Sequence, residues 1–219
     1  MRLLELFAGT GSVGNAFDKL GWEVVSLDIE PGHTIQADIM SWHYDVYPPG
    51  HFDCVHASPP CTEYSRAKTT GVRKLELADG ILQRTLDIVA YFKPRVFILE
   101  NPHTGMMKDR PAMADMAPFL RVVTYCKYGA PYRKATAIWT NLDHHWSPRP
   151  ACCKASPCEG VLDGRHPQTA QLAPGKVGGV RRASASDSFL REQLYALPAA
   201  LCEELAQAAT NAGSSWPLG

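Results

Sequence analysis

The sequence predicts an α/β fold: a mostly parallel sheet flanked by helices, with a small irregular insertion. Three observations carry this. Short apolar runs of strand length alternate with segments of helical period. Glycine-rich and proline-rich turns fall directly after the apolar runs, where the strands of such a sheet end. From His144 to Arg182 the texture changes to Pro, Gly, Cys, His and basic residues without clear periodicity.

The elements follow in order. Residues 3–7 read as a buried strand and 12–20 as the helix after it. Further strands are expected at 23–28, 51–57, 95–100, 120–127 and 136–141. A helix fits 75–92, where Leu75, Ala78, Leu82, Leu86, Val89 and Phe92 recur at helical spacing. A final helix is expected over 198–209 and a frayed tail over 213–219. The expected organisation is a main body over 1–142, a short basic insertion over 143–182, and a C-terminal segment over 183–212 that packs back on the body. No internal repeat is visible.

A chain of 219 residues with 45% apolar content suffices for one well-buried domain and little besides. The apolar stretch after Met1 is broken by Glu5 and then by a glycine-rich turn, unlike a signal peptide, and no run reaches membrane-spanning length. Seven cysteines spread through a chain of this size are an odd set, unlike the dense framework of a small secreted domain, and point to a reducing, soluble, intracellular setting. The formal net charge is zero, yet Arg121 to Arg182 holds ten Lys/Arg against three Asp/Glu. A segregated basic stretch is one footprint of a nucleic-acid partner, and also the signature of an ordinary solvated face.

Gly9-Thr10-Gly11-Ser12-Val13-Gly14 follows a strand and opens a helix, with Asp28 closing the next strand. Glycines let backbone approach a ligand closely, and a carboxylate at the second strand end can accept hydrogen bonds from two ribose hydroxyls. A dinucleotide and S-adenosylmethionine both satisfy that description, and such turns also occur for structural reasons alone. Ser58-Pro59-Pro60-Cys61-Thr62-Glu63-Tyr64-Ser65 places a cysteine on a proline-stiffened turn at the same rim of the sheet. A buried, inert thiol is the commonest fate of a free cysteine. Against that stands Glu100-Asn101-Pro102, whose carboxyl falls on the same rim and can act as a general acid if burial raises its pKa.

The order and spacing of these motifs resemble those of the cytosine-C5 DNA methyltransferase family, over residues 3–141 and again near Leu197. Phe7-Ala8-Gly9-Thr10-Gly11 is similar to its cofactor turn, Pro60-Cys61 to its catalytic Pro-Cys and Glu100-Asn101 to its Glu-Asn. The resemblance implies a Rossmann-like, S-adenosylmethionine-dependent methyltransferase fold. It implies Cys61, Glu100, Pro60 and Asn101 as catalytic residues, with Cys61 adding to C6 of a flipped cytosine. The cofactor would lie against Phe7, Ala8, Gly9, Thr10, Gly11, Ser12, Asp28, Ile29, Asp38, Ile39 and Pro60, with Asp28 at the ribose and Asp38 at the adenine amino group. The segment 195–201 resembles the family's last motif.

Substrate contacts are expected from Ser65, Arg66 and Lys68, with Arg73 and Lys74 beside them as a phosphate clamp, and from Arg133, Lys134 and Thr136. The last three sit where the family carries Gln-x-Arg-x-Arg. Here Tyr132, Lys134 and Thr136 replace its Gln and two Arg, and Thr136 lacks the forked donors of an arginine. The insertion is shorter than the family's target-recognition domain, so a short or relaxed recognition site follows. Expected partners are S-adenosylmethionine and DNA, for a cytoplasmic monomer of bacterial, phage or viral kind, working alone or with a separate recognition partner. An RNA substrate and a non-catalytic nucleic-acid-binding relative stay open, although binding alone needs neither Cys61 nor Glu100. No metal is assigned; Cys153, Cys158 and His166 are the nearest to a zinc ligand set, with spacing wider than a usual knuckle.

Overall fold

A computed structural model describes residues 1–161, 165–168, 170 and 195–213; the expected C-terminal segment before 195, the insertion from 171 onward and the tail from 214 lie outside the described residues. Seven strands form one sheet: β1 (Arg2–Leu6), β2 (Glu23–Asp28), β3 (Ile35–Gln36), β4 (Cys54–Ala57), β5 (Val96–Pro102), β6 (Leu120–Thr124) and β7 (Ala135–Thr140), in the order β3-β2-β1-β4-β5-β7-β6. The first five are parallel, while β7 runs antiparallel to both β5 and β6. Helices α1 (Ser12–Asp18), α2 (Leu75–Phe92) and α3 (Ala199–Asn211) flank it. This is the Rossmann-like methyltransferase arrangement that the sequence led us to expect.

Both faces of the sheet are buried, so the central strands are largely apolar on both sides, with Glu5, His56, Glu100 and Asn101 as buried polar exceptions. Side-chain alternation then assigns each residue to one of two cores. Leu3, Cys54, Val96 and Ile98 join α1 and α3 on one face. Leu4, Leu6, Val55, Phe97 and Leu99 join α2 on the other. α2 ends where Lys93 turns left-handed (φ 46°) ahead of Pro94, which cannot continue a helix. α3 docks through Leu201, Cys202, Leu205 and Ala209 beside Val13 and Phe17. Arg95 donates to the carbonyl oxygens of Ala209 and Ala212, fixing the end of α3.

Besides shifts of one or two residues at most other element ends, two boundaries and two short elements differ from expectation. β4 begins only at Cys54, because a turn through Pro48 and His51 precedes it and Arg2 takes up the Asp53 carboxylate. β6 stops at Thr124; Tyr125 N–H still bonds the in-register Lys134 carbonyl, and Tyr125–Tyr128 then coil into a 3-10 turn. β3 has two residues, too few for a readable pattern. Pro111–Phe119 forms an unforeseen 3-10 stretch that buries Met113 and Met116. Residues 141–161 hold turns and bends but no helix or strand. No helix among the described residues is long and apolar enough to cross a membrane.

Candidate active site

The carboxyl ends of β1, β2, β4 and β5 lie side by side, so the turns that follow them share one rim. After β1, Phe7, Gly9 and Gly11 all take positive φ (57°, 50° and 66°). Gly9 and Gly11 do so without a Cβ conflict, whereas Phe7 holds a conformation that side-chain-bearing residues rarely adopt. Asp28 secures this turn, accepting from Gly9 N–H at 2.8 Å and from Glu30 N–H at 3.0 Å. Thr10 and Ser12 hydroxyls meet at 2.6 Å. Ile29, next to Asp28, leaves 63% of its surface open.

Of the residues assigned to cofactor contact, Gly9, Thr10, Ile29, Asp38 and Pro60 are exposed on the surface, and Phe7, Gly11, Ser12 and Asp28 are half-buried. Asp38 is held by a turn in which it accepts from Met40 N–H at 2.9 Å. Ala8 and Ile39 are instead core residues, 7% and 4% exposed.

Cys61 is half-buried after β4. Its turn is pinned: Asn101 donates from Nδ2 to the Pro59 carbonyl at 2.9 Å, and Tyr64 N–H bonds the Cys61 carbonyl. Glu100 is 6% exposed, and its Oε1 accepts from the Tyr125 hydroxyl at 3.2 Å. Burial raises the Glu100 pKa above the usual carboxyl range, while Lys134 and hydrogen bonds from Tyr125 and Ser58 pull it back. Burial and the Glu100 charge push the Cys61 thiol up, and Lys134 opposes them. Cys61, Glu100 and Lys134 thus form one electrostatic unit.

Lys134 is therefore the cation that reaches both groups, with its Nζ 4.7 Å from the centre of the Tyr125 ring. Arg133 is exposed beside it. Thr136 is fully buried in β7 and offers no surface to a substrate. The loop after Cys61 also differs from a free phosphate clamp. Lys68 Nζ binds both Glu63 carboxylate oxygens (2.7 and 2.6 Å), and Arg73 donates to the carbonyls of Glu63, Ser65 and Lys68. These two cations hold the loop's own shape. Arg66 and Lys74 are exposed, and Ser65 is half-buried with its Oγ accepting from Ala67 N–H.

Sequence reading missed Tyr125, Ser58 and His56. His56 lies in β4 with its Nε2 3.5 Å from Ser58 Oγ; burial lowers its pKa to about 3, so it is neutral. A histidine inside an apolar strand was the available signal; Tyr125 gave none, since its partner is 25 positions away. The zinc candidates are corrected as well. Cys153 is exposed and stands apart, whereas Cys158 and His166 do converge, together with Cys126 and Cys152.

A family model described as C-5 cytosine-specific DNA methylase matches residues 1–116, a span that contains Cys61 and Glu100. A protein of Frog virus 3 (isolate Goorha), named as a probable DNA (cytosine-5)-methyltransferase, is 35% identical over 158 residues, covering 65% of this chain and 72% of that one. Among solved structures, a prophage-encoded E. coli chain assigned as a DNA modification methyltransferase shares 16% identity at a TM-score of 0.49, covering 74% of this chain and 56% of the other. The Entamoeba histolytica methyltransferase EhMeth shares 13% identity at a TM-score of 0.49, covering 63% and 52%. This chain thus spans about half the length of those two solved structures. With more than half its length under the family model, and with Cys61 and Glu100 inside that span, the chain belongs to the C-5 cytosine-specific DNA methylase family.

Proposed function

We propose that this protein methylates C5 of cytosine in DNA, with S-adenosylmethionine as methyl donor and Cys61 as the nucleophile. The observation that carries the reading is the coupling of a pinned, half-buried Cys61 to a buried Glu100 whose pKa burial raises, with Lys134 acting on both. C5 of cytosine is a poor nucleophile until C6 is attacked. The Cys61 sulfur forms a bond to C6 while Glu100 gives its proton to N3, which makes C5 electron-rich. After C5 has taken the methyl group its proton passes to water, the sulfur–C6 bond breaks with its electron pair returning to the Cys61 thiolate, and N3 returns its proton to Glu100. The raised Glu100 pKa has the correct sign for this, because only a protonated carboxyl can donate to N3. A neutral Glu100 also removes one of the two causes that hold Cys61 as a thiol, so the acid's proton favours the thiolate.

Neither group reaches a base stacked in a duplex, so the cytosine must be flipped into the site. The cofactor supplies an electrophilic methyl group. The residues present suit it: a left-handed, side-chain-free turn at Gly9 and Gly11, a carboxylate at Asp28, an open apolar surface at Ile29 and an exposed carboxylate at Asp38. Lys134 is proposed as the cationic contact to the flipped base, in the role the buried Thr136 cannot fill. Recognition is proposed to be short or relaxed, with phosphate contacts providing most of the affinity.

The test compares methyl transfer from labelled cofactor to duplex DNA, single-stranded DNA and transfer RNA, together with DNA carrying 5-fluorocytosine, which cannot release its C5 substituent. Label should enter DNA, the fluorinated DNA should trap the protein covalently, and Cys61→Ser should abolish the trap. Glu100→Gln should slow turnover by on the order of a hundredfold or more, as loss of a general acid does. Label on RNA alone, or a trap that survives Cys61→Ser, would refute the assignment.

A further inference from the structure

Four side chains that take no part in the proposed chemistry converge at the edge of the molecule. Cys126 lies in the 3-10 turn after β6; Cys152 and Cys158 lie in the irregular stretch beyond β7; His166 follows them. Their ligand atoms all lie within 4.8 Å of one another. His166 Nε2 stands 3.2 Å from Cys158 Sγ and 3.7 Å from Cys152 Sγ. Zinc bound at about 2.3 Å to sulfur and about 2.0 Å to nitrogen in a tetrahedron sets its donors about 3.5–3.8 Å apart. Small side-chain adjustments bring this set to that size.

Hydrophobic packing does not account for the convergence. Among the described residues, the small core here contains Cys126, Cys152 and Cys158, with Val161 packed against it. Three thiols and one half-buried valine hold little apolar area, so among the described residues the stretch from 150 to 161 is tied down by little hydrophobic packing. The surroundings suit an anionic metal centre. Three thiolates, a neutral imidazole and a divalent cation leave one net negative charge, and Lys127 sits adjacent, its Nζ donating to the Pro157 carbonyl at 2.9 Å. Cys152 N–H is fixed by Thr124 Oγ1 at 2.9 Å, which orients the ligand from the next shell.

We propose that Cys126, Cys152, Cys158 and His166 bind one zinc ion as a Cys3His centre that staples the stretch beyond β7 to the turn after β6. Four protein ligands leave no open position, so the metal is structural and takes no part in the reaction. Its position still bears on the site. Cys126 follows Tyr125, the hydrogen-bond donor to Glu100, so the metal fixes the backbone of the turn that presents that hydroxyl.

The experiment uses the full chain purified from zinc-supplemented medium without chelator. Elemental analysis should find about one zinc per chain, as for a closed site. Cys153→Ser, which alters the exposed neighbour, should keep that zinc, while Cys158→Ser should lose most of it. Because Cys158→Ser can fail to fold, the unaltered chain is also tested in two ways. Cobalt substitution should give the visible absorption of tetrahedral thiolate-bound Co2+. Alkylation should label Cys153 freely but Cys126, Cys152 and Cys158 only after chelation. Less than about one-tenth of an equivalent of zinc, a disulfide among the three cysteines, or undiminished zinc in folded Cys158→Ser would overturn the proposal. None of these readouts depends on methyl transfer.

Discussion

Glu5 sits on the inner face of β1, 2% exposed, in the same core face as Leu3. Burial raises its pKa from the ordinary 4.5 to about 7, against backbone N–H donors of Gly14 and Val13 that favour the charged form. The contact is close enough to dictate a neighbour: a Cβ at Gly14 would run into the Glu5 carboxylate and the Val24 side chain. A raised folded-state pKa means that the neutral carboxyl is the stabilising form. Its contribution is fully present below the unfolded pKa near 4.5 and is lost as pH rises through about 7. Glu5→Gln cannot ionise, so unfolding free energies of the two proteins should diverge across that window, the unaltered chain losing on the order of 3 kcal/mol relative to the variant. Chemical denaturation at a series of pH values checks it; parallel curves would exclude the buried, titrating carboxyl. In the sequence Glu5 is legible only as an interruption of an apolar run, because nothing local reveals that both faces of β1 are covered.

The segment from Cys61 to α2 shows how an element is held when it has neither helix nor strand. Glu63 gathers Lys68 Nζ and the Lys74 N–H at one carboxylate, and Lys68 keeps its pKa below the ordinary range. Arg73 closes the loop by satisfying three carbonyls within it. Its planar fork spans separate acceptors in a way that a lysine cannot. Arg73→Ala should therefore loosen the loop that carries Cys61 more than it weakens the fold. The expected outcome is a fall in kcat/KM of on the order of tenfold or more, since small misplacements of a reacting group are costly, with thermal stability lowered only slightly. Kinetics beside a melting curve separate the two. Loss of stability without loss of kcat/KM would mean that the network serves only the fold. The charges were readable as a polar loop; which were spent internally was not, because their acceptors are backbone carbonyls that composition does not distinguish.

At the scale of the whole molecule, the proposed short or relaxed recognition follows from the brevity of the insertion over 143–182. The described part of the insertion holds turns tied by Lys127, Arg149 and the cysteine cluster, not a second domain with its own helices or strands. Each base pair read in a groove needs its own side-chain contacts, so methylation mapping of treated DNA should find a site of no more than about four base pairs. A strict, longer site would show that recognition surface lies elsewhere. The sequence by itself determined the α/β class, α2 and β2 to the residue, the glycine turn, and the order of Cys61 and Glu100 along the chain. Those features are local: period, turn chemistry and motif spacing are properties of neighbouring residues. Only the tertiary structure decided that β7 reverses between β5 and β6, that Tyr125 and Lys134 flank the acid, that Thr136 is sealed, and that Cys126 rather than Cys153 completes the cysteine cluster. These depend on contacts between residues far apart in the chain, and a sheet register brings such residues together through hydrogen bonds that no local pattern of side chains records.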